Sequence, residues 1–268
     1  MPEGHTLHRL ALDLNEAFAG RALAVTSPQG RFAESSAQLD QTVMIKATAH
    51  GKHLFLEFDD DRFLHIHLGL IGKLSLGPPD PPYGEVRVRL ATTGQVADLR
   101  GPQLCVVRTR AEVDSEMADL GPDPLREDAD PDRAWRRIQR AGRPIAALLM
   151  DQRVLSGVGN VYRAEVLFRN RIDPHRPGSA LTRRSWRAIW SDLLELMPIG
   201  VRDNRIDTVR PEHLPEAMGR PPRVDGHGGE VYVYRRAGME CLVCGSWVRT
   251  EVLAGRNLFW CGRCQRRG

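Results

Sequence analysis

Apolar residues at Leu7, Leu10, Ala11, Leu14 and Phe18 recur with the spacing of one helical face, and Gly20 ends the run. From about Ala22 to Arg110 the period shortens toward two. Leu54-Phe55-Leu56-Glu57-Phe58, Leu64-His65-Ile66-His67-Leu68 and Val86-Arg87-Val88-Arg89-Leu90 read as strands. Ser27-Pro28-Gln29-Gly30, Asp59-Asp60-Asp61, Pro78-Pro79-Asp80-Pro81-Pro82 and Thr92-Thr93-Gly94 break them. Short strands with regular turns predict an antiparallel sandwich or barrel. The proline-rich run Leu120 to Leu125, followed by polar Arg126 to Asp132, predicts an interdomain linker. Helical spacing then returns over Trp135 to Arg140, Ile145 to Met150, Val161 to Asn170 and Arg183 to Met197. Residues 203–229 are rich in Pro, Gly, Arg and Asp and predict a long mobile loop. The expected class is therefore α+β and multidomain. Its parts are a helix and β-sandwich at 1–112, a linker at 113–132, a helical domain at 133–232 and a small tail domain at 233–268.

Composition narrows the partners. Charged residues make up 27% of the 268 and hydrophobic ones 41%, ordinary for a soluble globular chain. No apolar run approaches the roughly 18 residues that span a bilayer. The start has neither a basic region nor an apolar stretch after it, so the expected location is the cytoplasm, on the nucleoid. The net charge of +4 leans mildly toward a polyanionic partner. The last stretch leans further: seven arginines from Arg235 onward face only Glu240 and Glu251. Only Lys46, Lys52 and Lys73 are lysines among 38 cations. Arginine does not lose its proton, so a lysine in such a chain marks a candidate amine site.

Four of the five cysteines fall in the last 28 residues, which favours metal over disulfides. Cys105, left over, is expected to be a small buried hydrophobe. Cys241-Leu242-Val243-Cys244 and Cys261-Gly262-Arg263-Cys264 form two C-x₂-C knuckles separated by 16 residues. That spacing predicts one structural Zn²⁺ in a closed Cys₄ site, with no position open for water. Trp247-Val248-Arg249-Thr250 and Leu258-Phe259-Trp260 bracket a turn at Ala254-Gly255, with Arg256 beside it. There Arg256 is either a phosphate grip or a solvated surface arginine.

Leu155-Ser156-Gly157-Val158-Gly159-Asn160 lies between two helical patterns. Glycines two apart allow positive φ and expose backbone N–H groups to a phosphate, with Asn160 expected to cap the next helix. A tight helix–helix turn accounts for the glycines equally. At the other extreme, Pro2 becomes the N-terminus once Met1 is removed. Its ring nitrogen is then a secondary amine with a pKa near ~8, a nucleophile able to form an iminium ion. Glu3 supplies a carboxylate for proton transfer. Proline starting a helix is the simpler reading of the same residue.

Pro2-Glu3, Gly157-Val158-Gly159-Asn160 and the Cys₄ ribbon with Arg256 together resemble the formamidopyrimidine-DNA glycosylase and endonuclease VIII family. The resemblance implies a β-sandwich, a helix–two-turn–helix domain and a zinc finger, with DNA between the lobes. Gly51-Lys52-His53-Leu54 looks like the family's β-hairpin lysine, which would make Lys52 a phosphate contact and catalytic aid; a solvated strand-end lysine is the alternative. His67-Leu68-Gly69-Leu70-Ile71-Gly72 looks like the segment whose centre, Leu70, wedges into the base stack; a buried strand residue is the alternative. Asn160 and Arg256 match the phosphate-gripping pair, and Glu165 matches a helix glutamate near the site. Asp98-Leu99-Arg100-Gly101-Pro102-Gln103 lacks the aromatic that many purine-repair members carry, and Gly4 in place of leucine looks more like endonuclease VIII.

The expectation is a monomeric bifunctional glycosylase and AP lyase acting on double-stranded DNA with damaged bases or abasic sites. It would excise oxidised bases, pyrimidines favoured, and cleave the strand by β,δ-elimination. The alternatives are a non-catalytic damaged-DNA-binding protein and an AP lyase without base excision.

Overall fold

The structure, a computed structural model, describes residues 2–225 and 229–266. The chain divides into two compact units, Met1–Asp119 and Leu120–Gly268.

Unit 1 opens with α1 (Gly4–Phe18), then β1 (Arg21–Ala22), β2 (Ala24–Thr26), a short α2 (Ala33–Ala37), β3 (Val43–His50), β4 (His53–Phe58) and β5 (Arg62–His67). Next come β6 (Lys73–Gly77), β7 (Val86–Ala91), β8 (Val96–Arg100), β9 (Leu104–Thr109) and α3 (Arg110–Asp119). The expected sandwich is present. One sheet runs β1-β3-β4-β5-β9 and the other β2-β7-β8-β6. Alternation sends Leu54, Leu56, Leu64 and Ile66 inward, where they meet Leu90 and Leu99 of the second sheet and the Leu7, Leu14, Phe18 stripe of α1. Their neighbours Phe55 and Phe63 face outward and are covered by Val113 and Met117 of α3. Cys105 packs half-buried against the main core, its thiol pushed up to about 12 by burial.

Asn15 ties α1 to the sheet. Its Nδ2 donates to Ala47 O at 2.8 Å, and its Oδ1 accepts from Ala47 N at 2.7 Å. Gly20 N donates to Met44 O at 2.8 Å. These two anchors make α1 and β3 antiparallel, so the helix start and the β3–β4 turn point the same way.

Unit 2 contains α4 (Pro131–Gln139), α5 (Ile145–Leu148), α6 (Asn160–Arg169), α7 (Arg183–Asp203), α8 (Pro215–Met218), β10 (Val248–Leu253) and β11 (Arg256–Cys261). Asp130 caps α4 by accepting from Asp132 N, and Thr182 caps α7 by accepting from Ser185 N. Helix α6 is buried from Asn160 to Phe168, on all sides rather than on one face, and forms the middle of the core. Val248, Leu258 and Phe259 of the β10–β11 hairpin belong to that same core. A segment this small cannot enclose apolar side chains by itself, so it shares those of α6.

Three expectations need correction. Leu120 to Asp123, expected as part of an interdomain linker, are buried and bonded into unit 2: Gly121 N donates to Gln152 O at 2.8 Å and Ser156 N to Pro122 O at 3.0 Å. Helix α7 runs past Met197 and through Pro198, ending at Asn204 in the left-handed region. The stretch expected as a mobile loop holds a 3₁₀ turn at Pro211–His213 and α8, tied by Glu230 to Arg220 and to Arg223 N. Residues 226–228 of that stretch lie outside the described ones. Among the described residues, no helix is long and apolar enough to cross a membrane.

Candidate active site and nucleic-acid interface

In unit 1 the register of the sheet gathers three segments at one end. His50 pairs with His53, His53 with His67, and His67 with Leu104, a row across β3, β4, β5 and β9. Just beyond this row lie the two-residue turn Gly51-Lys52, the loop 68–72 and the turn 101–103. Lys52 is half-buried. Leu70 is a loop residue 50% exposed, not a buried strand residue, and its neighbour Ile71 is 85% exposed. His67 Nδ1 accepts from Gly69 N at 3.1 Å, and Gln103 N donates to His67 O at 2.9 Å. Gly69 has φ +69°, and a Cβ there would stand 2.8 Å from Gln103 Cβ, so this loop conformation requires glycine.

The antiparallel run of α1 carries its start to the same end. Pro2 is half-buried, and Glu3 is fully buried as the residue preceding the helix, where the helix dipole favours a carboxylate. Glu3 O accepts from Thr6 N at 2.9 Å. His5 is lowered to about 4, chiefly by burial. Burial likewise presses His53, His65 and His67 toward the neutral ring. His53 Nδ1 and His65 Nε2 are 2.8 Å apart, and the His53 and His67 rings 4.9 Å. Burial, then neighbouring imidazoles and Lys52, bring His53 down to about 3. Burial with Arg108 and His67 brings His65 to about 4.

In unit 2 the turn before α6 is stitched by Gln152. Its Nε2 donates to Met150 O and Val158 O, each at 3.0 Å, and its Oε1 accepts from Gly157 N at 3.0 Å. Gly157 takes the expected positive φ, +84°, but Gly159 sits in extended backbone and is itself the N-cap. Asn160 is thus not the cap but the first helical residue. Its side chain turns to the hairpin instead: Nδ2 donates to Asn257 O at 2.9 Å. Fully buried Arg163 donates to Asn160 Oδ1 and fixes the amide's orientation. Arg256 follows the turn Ala254-Gly255, whose residues both have positive φ, the type I′ arrangement. Asn160 and the strand opening at Arg256 are therefore joined. Gln152 and Arg163 were not singled out from sequence, because their partners are main-chain groups of the turn and the hairpin and the Asn160 amide.

Glu165 does different work. Its carboxylate is fully buried and accepts from Thr208 Oγ1 at 2.5 Å and from the N–H groups of Tyr232, Val233 and Tyr234 at 2.7, 2.9 and 2.9 Å. It binds three segments of unit 2 together.

The sulfur atoms of Cys241, Cys244, Cys261 and Cys264 all lie within 4.8 Å of one another, with Cys241–Cys264 at 3.9 Å and Cys244–Cys261 at 3.5 Å. Thiolates placed about 2.3 Å from a tetrahedral Zn²⁺ stand about 3.8 Å apart, so the set fits a structural zinc.

The chain matches the formamidopyrimidine-DNA glycosylase N-terminal domain over residues 1–111 and the H2TH domain of the same proteins over 120–210. The zinc finger found in FPG and IleRS matches over 238–267. Lactococcus lactis Fpg, solved with an abasic site containing DNA, superposes with a TM-score of 0.81 at 19% identity, covering 99% of this chain and 100% of that one. The architecture is thus the Fpg fold, closed by a four-cysteine finger. Endonuclease 8 1 of Mycobacterium tuberculosis is 50% identical over 99% of this chain and 100% of its own length. Formamidopyrimidine-DNA glycosylase of Corynebacterium aurimucosum is 30% identical over 100% and 97%. The chain belongs to the formamidopyrimidine-DNA glycosylase and endonuclease VIII family of DNA repair glycosylases.

Proposed function

We propose that this glycosylase is bifunctional: it excises an oxidised base, pyrimidines favoured, and then cuts the strand of duplex DNA as an AP lyase. The observation that carries the reading is the gathering of the α1 start, the Lys52 turn and the Leu70 loop at one end of unit 1. After loss of Met1, the Pro2 nitrogen attacks C1′ as the base departs with the electrons of the glycosidic bond. The amine's own proton goes to the departed base anion, and Glu3, desolvated at the helix start, gives a proton to the sugar oxygen as the C1′–O4′ bond opens to leave an iminium ion. That cation acidifies C2′–H, and elimination expels first the 3′ and then the 5′ phosphate. Leu70, with Ile71 beside it, fills the space of the extruded nucleotide.

Lys52, the second N–H of Asn160 Nδ2 and Arg256 hold phosphates, charge-assisted contacts that read no sequence. Bound zinc fixes the hairpin that carries Arg256 and takes no part in the chemistry. The absence of an aromatic in 98–103 and the presence of Gly4 support the pyrimidine preference. The chain is proposed to act as a monomer, on chromosomal DNA in the cytoplasm.

The test is borohydride trapping on abasic duplex. The wild type forms a covalent complex and Pro2→Gly loses nearly all of it. Full trapping by Pro2→Gly, or none by the wild type, removes the mechanism. A panel of duplexes with oxidised bases ranks the lesions, and equal or greater activity on purines overturns the stated preference.

A further inference from the structure

Two carboxylates from separate parts of unit 2 converge on one imidazole. His175 Nδ1 lies 3.0 Å from Asp173 Oδ1, and Nε2 lies 2.5 Å from Glu251 Oε1. A neutral imidazole has one N–H and a carboxylate has none, so only the imidazolium donates to both. The ring also meets Trp260 edge-on, with centroids 5.2 Å apart at 79°. Asp173 lies just beyond α6, in the helical body. Glu251 and Trp260 lie on β10 and β11, the hairpin that carries Arg256.

Besides its share of the core, that hairpin and the residues after it are hydrogen-bonded to the α6 region elsewhere. Asn160 and Arg163 donate to Asn257 O, and Gln265 Nε2 donates to Ile172 O at 3.0 Å. Unlike these amide and guanidinium bonds, the one through His175 depends on a proton that exchanges near neutral pH.

We propose that His175 is a positioning residue: as an imidazolium it latches the β10–β11 hairpin onto the helical body and so fixes Arg256 beside Asn160 for gripping DNA phosphate. The proposal rests on the DNA-gripping role given to that pair above. Burial opposes the charge, but the bonds to Glu251 and Asp173 outweigh it and raise His175 above its ordinary 6.5. The latch is then complete below 6.5 and is lost as pH rises through the raised value. The charged groups facing the ring are Asp173 from its own loop and Glu251 from β10. Arg249, opposite Trp260, shares the latter's face of the strand.

The test uses the full-length, zinc-loaded protein. In the free protein at pH 6.5, ¹⁵N NMR is expected to find both ring nitrogens of His175 protonated, with the Arg256 and Asn257 amide shifts following its titration. For a duplex carrying a tetrahydrofuran abasic analogue, raising the pH to about 8.5 weakens wild-type binding roughly two- to fivefold more than it weakens His175→Gln, the worth of one partly exposed ion pair. Glu251→Gln moves the wild-type transition to lower pH. A neutral His175 at pH 6.5, hairpin amides that ignore its titration, or equal pH dependence in wild type and His175→Gln would each overturn the latch. Should His175→Gln fail to fold, Glu251→Gln and the wild-type titration still decide. Failure of the wild type to bind duplex at any pH counts instead against the DNA-gripping role, because the NMR titration reads the latch without DNA.

Discussion

In unit 1, His53, His65 and His67 share the outer face of a sheet, and burial presses each toward the neutral ring. In unit 2, His175 lies between two carboxylates that draw it toward the cation. One residue type thus serves as an uncharged hydrogen-bonding surface in one unit and as a charged clasp in the other. The neighbours, not the residue, make the difference. They also give the units opposite responses to pH. Where a folded-state imidazole pKa lies below that of the unfolded chain, unfolding takes up protons and acid destabilises the fold; where it lies above, alkali does.

Removing the metal breaks this contrast outright. Chelation, or Cys244→Ser, frees the hairpin that carries Glu251 and Arg256, since a structural zinc supplies folding energy directly. Affinity for abasic duplex is expected to fall on the order of a hundredfold, the worth of one or two charge-assisted contacts. A metal-free protein that binds with undiminished affinity would refute a holding role for the site.

Acidification comes next. From pH 6.5 down toward 4, His53 and His65 should each cost unit 1 about 1.4 kcal/mol per pH unit. All five tryptophans lie in unit 2, so their emission should stay native while amide exchange in β3 to β5 accelerates. Simultaneous loss of both signals would deny the difference between the units.

The smallest effect is expected of His65→Phe, which keeps the stack on Phe55 at 4.5 Å but removes one buried titrating ring. Stability at pH 7 should fall by about 1–2 kcal/mol, because the swap removes the hydrogen bond between His65 Nε2 and His53 Nδ1. Its decline in acid should be shallower by roughly one proton, read from thermal unfolding across pH. An unchanged slope would mean that His65 does not titrate in the fold.

Much of this was legible in the chain itself. The Leu7, Leu14, Phe18 stripe defined α1, and two C-x₂-C knuckles around Ala254-Gly255 defined the hairpin, because each signal is local and carries its own period or spacing. Helix α3 was hidden because it buries only Val113 among its ten residues, leaving no rhythm to read. Asn160 matched the residue type of a cap, but Gly159 holds that position and the amide serves a strand 97 residues away. His175 was equally silent, since Glu251 is 76 residues distant. The end of the sheet could be guessed only by resemblance, because the register that aligns His50, His53 and His67 is set by the core beneath it.

The Asn15 side chain has one more consequence. Among the described residues, no strand pairs with the outer side of β3 beyond Met44, and Ala47 would offer a bare N–H and C=O there. The Asn15 amide answers both, imitating a single peptide unit of a missing neighbour. An incoming strand would have to displace this amide before it could pair at Ala47, so one polar residue covers that stretch of the edge.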